Sequence, residues 1–134
     1  VASQVAQPAA AAFLDLLGTN GNLTVVDGDV ANEQDPPYAV VYFAGGHDGG
    51  DNLSRWSNEA TIRAYVHSVG NTAAAARVIA GQAAATLLDE RLTVAGWACG
   101  PIRRELTNPP RRDESTGIAV MDQVDVYLWR MTVA

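Results

Sequence analysis

The chain has 134 residues, 48% of them hydrophobic and 18% charged, a size and composition suited to one globular domain and too small for two. A formal net charge of −6, with all nine basic residues arginine, argues against broad attachment to a nucleic-acid backbone, which needs clustered cations. One cysteine, Cys99, excludes an internal disulfide, and with two histidines it cannot complete a closed structural zinc site. No apolar run approaches the roughly 20 residues that cross a bilayer, so a soluble protein made in the cytoplasm, with no membrane contact, is expected.

The first helix is expected over Ser3 to Leu17, where Ala10, Phe13, Leu14 and Leu17 form one apolar stripe. Ser3 can cap it, or Pro8 can be its first residue, and Gly18 closes it. Leu23 to Val26 reads as a short strand, and Asp27 to Pro37 as a loop. Tyr38 to Ala44 is a continuous apolar run between prolines and Gly45-Gly46, the pattern of a central strand covered on both faces. After the loop Gly45 to Asp51, the stretch Arg55 to His67 alternates with period two. Trp56, Ala60, Ile62, Ala64 and Val66 share a core-like face, and Arg63, Tyr65 and His67 lie on the other.

Asn71 or Thr72 caps a second helix running to about Arg91, with Ala76, Ile79, Ala80, Ala83, Leu87 and Leu88 as its stripe. Thr93 to Leu106 and Ile118 to Val133 read as two more strands, joined by the polar loop Thr107 to Gly117. The order is helix, three strands, helix, two strands. It predicts an α+β domain with both helices on one face of a mainly antiparallel sheet of about five strands.

Candidate chemistry is sparse. The glycine-rich loop around His47 lacks the Lys-Ser/Thr of a phosphate-binding loop and is followed by a strand, so it reads as a structural loop. His47, Asp48 and Asp51 offer metal-ligand atoms that nothing orients. Cys99 has no local nucleophile signature, and Asp89-Glu90 and Asp113-Glu114 are adjacent acids that diverge rather than pair. No catalytic, cofactor-binding or metal site is expected.

The last strand carries more weight. With Val124, Val126 and Leu128 assigned to the helices, Tyr127, Trp129 and Met131 fall on the second sheet face beside Arg63 and Tyr65. Aromatics, Met and Arg are the residues enriched at interface centres, so this face is expected to be covered on assembly. In the loop, Arg111, Arg112, Asp113 and Glu114 are expected to make contacts outside the core.

An opening amphipathic helix, the run Pro36-Pro37-Tyr38-Ala39-Val40-Val41-Tyr42-Phe43, a long alternating strand, an alanine-rich helix ending Leu87-Leu88-Asp89 and the strand Val124-Asp125-Val126-Tyr127-Leu128 together resemble the tail terminator (tail completion) proteins of long-tailed bacteriophages, over nearly the whole chain. The resemblance implies a non-enzymatic virion protein that forms a six-membered ring on the head-proximal end of the tail tube. It would stop tube polymerisation and join the tail to the head-side connector. The implied partners are further copies of the chain, the major tail tube protein, the connector or stopper protein, and DNA passing through the channel without sequence-specific contact. Six chains would carry roughly −36 formal charge, a sign that lets DNA slide without adhering. A head closure protein is the alternative within the same class, and a small ferredoxin-like ligand-binding module or enzyme the alternative outside it.

Overall fold

The computed structural model describes residues 5–29, 35–49, 59–115 and 117–134, with 45–49 described by backbone alone. Among them are α1 (Ala6–Gly18), β1 (Val25–Asp27), β2 (Tyr38–Gly49), β3 (Glu59–Gly70), α2 (Ala73–Leu87), β4 (Trp97–Cys99), β5 (Arg103–Thr107), β6 (Arg111–Asp113) and β7 (Val120–Val133). The sheet runs β1-β2-β3-β7-β4, and β5 and β6 also pair with β7. β1 lies parallel to β2, and every other pairing between named strands is antiparallel.

The α+β class stands, while the sheet has seven strands rather than about five. The stretch read as one strand, Thr93 to Leu106, is cut by Gly100 and Pro101 into β4 and β5. Proline has no N–H to donate to a ladder. The expected loop Thr107 to Gly117 is also partly strand: Arg111, Arg112 and Asp113 pair with Asp122, Met121 and Val120. β2 continues past Ala44 to Gly49 through a register shift between Ala44 and His47, as a bulge allows. The side chains of His47 and Asp48, all of Asp51, and the expected strand start at 55–58 lie outside the described residues, as does Ser3.

Each helix forms where its pattern places it. Pro8 sits in the first turn of α1, where its missing N–H has no intrahelical partner to lose. Gly18 is the last helical residue, and Thr19 closes the helix by donating its hydroxyl to the Leu16 carbonyl at 2.6 Å. Thr72 caps α2, its Oγ1 accepting from the Ala75 N–H at 3.1 Å. The helix stops at Leu87, short of Arg91: Leu88 turns extended with ψ 135°, and Asp89 follows with a left-handed φ of 67°. Gly70 allows the close turn from β3 into α2, since a Cβ there would lie 2.7 Å from the Ala75 Cβ.

Both helices cover one face of the sheet. Ala60, Ile62, Ala64 and Val66 of β3 point into this core, as the alternation predicts. β7 does not follow its expected register. Tyr127, Trp129 and Met131 are fully buried beneath the helices, and Val124, Val126 and Leu128 share the opposite face with Arg63 and Tyr65. The cause is volume. The buried stripes of α1 and α2 are largely alanine, and β3 contributes Ala60 and Ala64, which oppose Met131 and Tyr127 across the ladder. Native packing density requires large side chains where so many neighbours are small. Trp129 fills that space, stacked on Phe13 with ring centroids 5.1 Å apart and planes 8° apart. Phe43 meets Phe13 edge-on at 5.5 Å.

Candidate assembly surface

The corrected register changes which residues the second sheet face presents. Tyr42 of β2, Tyr65 of β3, Val126 of β7 and Leu106 of β5 are successive cross-strand partners and form one apolar row. The row is wet at its ends, with Tyr42 43% and Leu106 52% exposed. The adjacent row contains Arg63 and Leu128, and Arg63 pairs with Glu105 at 3.0 Å. On the other side His67 contacts the Asp122 carboxylate at 2.9 Å and meets the Tyr42 ring edge-on at 5.2 Å. The face is thus an apolar centre flanked by charged pairs.

Arg63 and Tyr65 therefore lie where the sequence places them, whereas Tyr127, Trp129 and Met131 are core residues and cannot touch a partner. Tyr42, Leu106, Val126 and Leu128 take their place. Period-two alternation assigned both sides of β7 correctly as sets but not to the right faces, because both sets are apolar. At the far end of the sheet Arg111, Arg112 and Glu114 are exposed and Asp113 is half-buried. Arg112 pairs with Glu114 at 2.6 Å. The Asp113 carboxyl is held below its usual range chiefly by the Ser115 backbone N–H, which donates to it at 2.8 Å.

A second feature escaped the sequence reading. On the helix side, a cleft of about 530 Å³ lies between Arg77 and Gly81 of α2 and the segment from Arg104 to Pro110, with Gln123 also lining it. Beside Gln123 sits Asp125, 1% exposed. Its carboxylate accepts from the Thr107 hydroxyl and, at 3.4 and 3.5 Å, from Gln123 Nε2. Gln123 Oε1 is buried without a hydrogen-bond partner among the described residues, and the buried Tyr127 hydroxyl has the Arg104 guanidinium nearby. Burial first, then the Asp125 charge, pushes Tyr127 up to about 12, against the opposing Arg104 guanidinium.

Little here supports covalent chemistry. Cys99 is half-buried, and burial raises its thiol against the lowering effect of a Val94 backbone hydrogen bond. A thiol held protonated is a poor nucleophile. Among the described residues no three His, Cys, Asp or Glu side chains converge as a metal site, and no helix is long and apolar enough to cross a membrane.

Comparison with known proteins bears on the fold. A chain from the virion of a native gene transfer agent particle superposes with a TM-score of 0.61 over 97% of this chain and 92% of its own, at 15% identity. A second solved structure matches with a TM-score of 0.55 over 96% of each chain, at 17% identity. The chain shares its fold with both. No protein-family profile and no curated protein sequence matches it.

Proposed function

We propose that this chain is a structural protein of a phage-type virion, which forms a ring at the head-proximal end of a tail tube, ends the tube's growth and joins it to the head connector. The observation that carries this reading is the fold shared, over nearly the whole length, with a chain of a gene transfer agent virion. The surface suits the role: an apolar row at Tyr42, Tyr65, Val126 and Leu106, rimmed by Arg63 and Glu105, has the aromatic centre and charged edge of a protein contact. In this reading the whole chain acts as one domain. The exposed tip residues Arg111, Arg112 and Glu114, with Asp113, touch the tube or the connector. The acidic ring passes DNA without holding it, and the protein needs no turnover, metal or cofactor.

Negative-stain microscopy of the purified protein, alone and with tail tubes, tests the proposal. Rings of six that cap one end of the tube are the expected result. Rings that bind a head portal but ignore tubes would move the protein to the head side, as a closure protein. A monomer at every concentration that caps nothing, and whose melting shifts with a small ligand, would replace the structural role with a ligand-binding one.

A further inference from the structure

Two edges of the sheet carry opposite charge. At the β1 edge, Asp27 and Asp29 are exposed, and neither has an ion-pair partner among the described residues. Across the sheet, beside β5, Arg77 and Arg104 flank the cleft described above and are likewise exposed and outside any ion pair among those residues. In a chain of net charge −6, two exposed arginines outside any ion pair among the described residues make the mouth of this cleft locally basic, with the Asp125 carboxylate buried behind them. Gln123, more than nine-tenths buried, also lines the cleft, its Oε1 unpartnered among the described residues. A guest that brings carboxylates suits the two arginines. The turn from Asp27 to Asp29, closed by the Asp29 N–H donating to the Asp27 carbonyl at 2.8 Å, brings two carboxylates on one short segment.

The ladder registers place the two edges at one level. Asp27 opposes Val41, Val41 opposes Val66, Val66 opposes Asp125, and Asp125 opposes Thr107 in the cleft wall. Asp27 and Thr107 thus end a single cross-strand row about 19 Å long, four interstrand spacings. A second copy set beside the first, edge to edge, presents its Asp27–Asp29 segment at the height of the first copy's cleft. We infer that the Asp27–Asp29 edge of one copy docks into the Arg77–Arg104 cleft of the next copy. This contact is head-to-tail, joining two different patches, and repeated through a closing rotation it generates a ring. The inference rests on the ring reading above and specifies which surfaces make it.

Charge reversal provides the test, because all four residues are exposed. R77E/R104E and D27R/D29R would each be followed by sedimentation velocity beside the wild type, with circular dichroism melts to show that each is folded. Each variant alone should lose assembly, its dissociation constant rising at least about tenfold, as for like charges at an interface. Mixed in equal amounts they should reassemble, since the arginine edge of one meets the glutamate cleft of the other and the remaining edges are native. Folded variants that assemble alone like the wild type, or a mixture that stays monomeric, would overturn the docking while leaving wild-type rings intact. A wild type that never forms rings would overturn the ring reading and this inference with it.

Discussion

Replacing Trp129 with alanine separates a core role from an interface role. The indole is 0% exposed, stacked on Phe13 and paired across the ladder with Ile62. A buried tryptophan removes about 150–250 Å² from water, worth roughly 4–6 kcal/mol at 25 cal/mol per Å², and an alanine keeps only a fraction of it. Measured large-to-small substitutions at such sites cost about 3–5 kcal/mol. One correction lowers the figure: the Nε1–H is buried without a partner among the described residues, which already costs the native state about 1–3 kcal/mol. Trp129→Ala should therefore lose about 3 kcal/mol, and Trp129→Phe, which keeps the stack and removes the orphaned donor, clearly less. Unfolding entropy scales with length, so for 134 residues this loss corresponds to a melting point roughly 10 °C lower. Urea titration with linear extrapolation measures both variants. A Trp129→Ala protein of wild-type stability that fails to assemble would return the residue to the interface and invert the register of β7.

Two further outcomes follow from local geometry. Thr72→Ala removes the oxygen that accepts the Ala75 N–H at the start of α2, and should cost about 1 kcal/mol in the same titration, with Thr72→Ser restoring most of it. Tyr127 has a folded-state pKa raised to about 12, so its contribution is fully present below about pH 10 and is lost as pH rises through the folded value. Alkaline unfolding should accordingly steepen above pH 10 in the wild type and flatten in Tyr127→Phe. Burial also raises Tyr38, so a spectrophotometric titration of the four tyrosines should lose only its latest step in the variant. Persistence of that late step in Tyr127→Phe would assign it elsewhere.

Local signals in the chain determined the helices and the faces of β3. The alanine and leucine spacings, the Thr72 cap and the alternation of Ala60, Ile62, Ala64 and Val66 depend on neighbours within a few residues, and all appear in the fold. The division of Thr93 to Leu106 was also written locally, in Gly100 and Pro101, but the pairing of three short strands along β7 depends on contacts distant in sequence. The candidate surface was legible only in half. Arg63 and Tyr65 follow from the one-sided pattern of β3. The partner residues on β7 do not, because Tyr127, Trp129 and Met131 alternate with Val124, Val126 and Leu128, two apolar sets that period two cannot rank. What ranks them is the volume left by alanines on α1, α2 and β3, which only the assembled core displays. The cleft is tertiary in the same sense: Arg77, Arg104 and Gln123 lie far apart in the chain, and they converge because α2 packs over β3 and β7 while β5 pairs with β7.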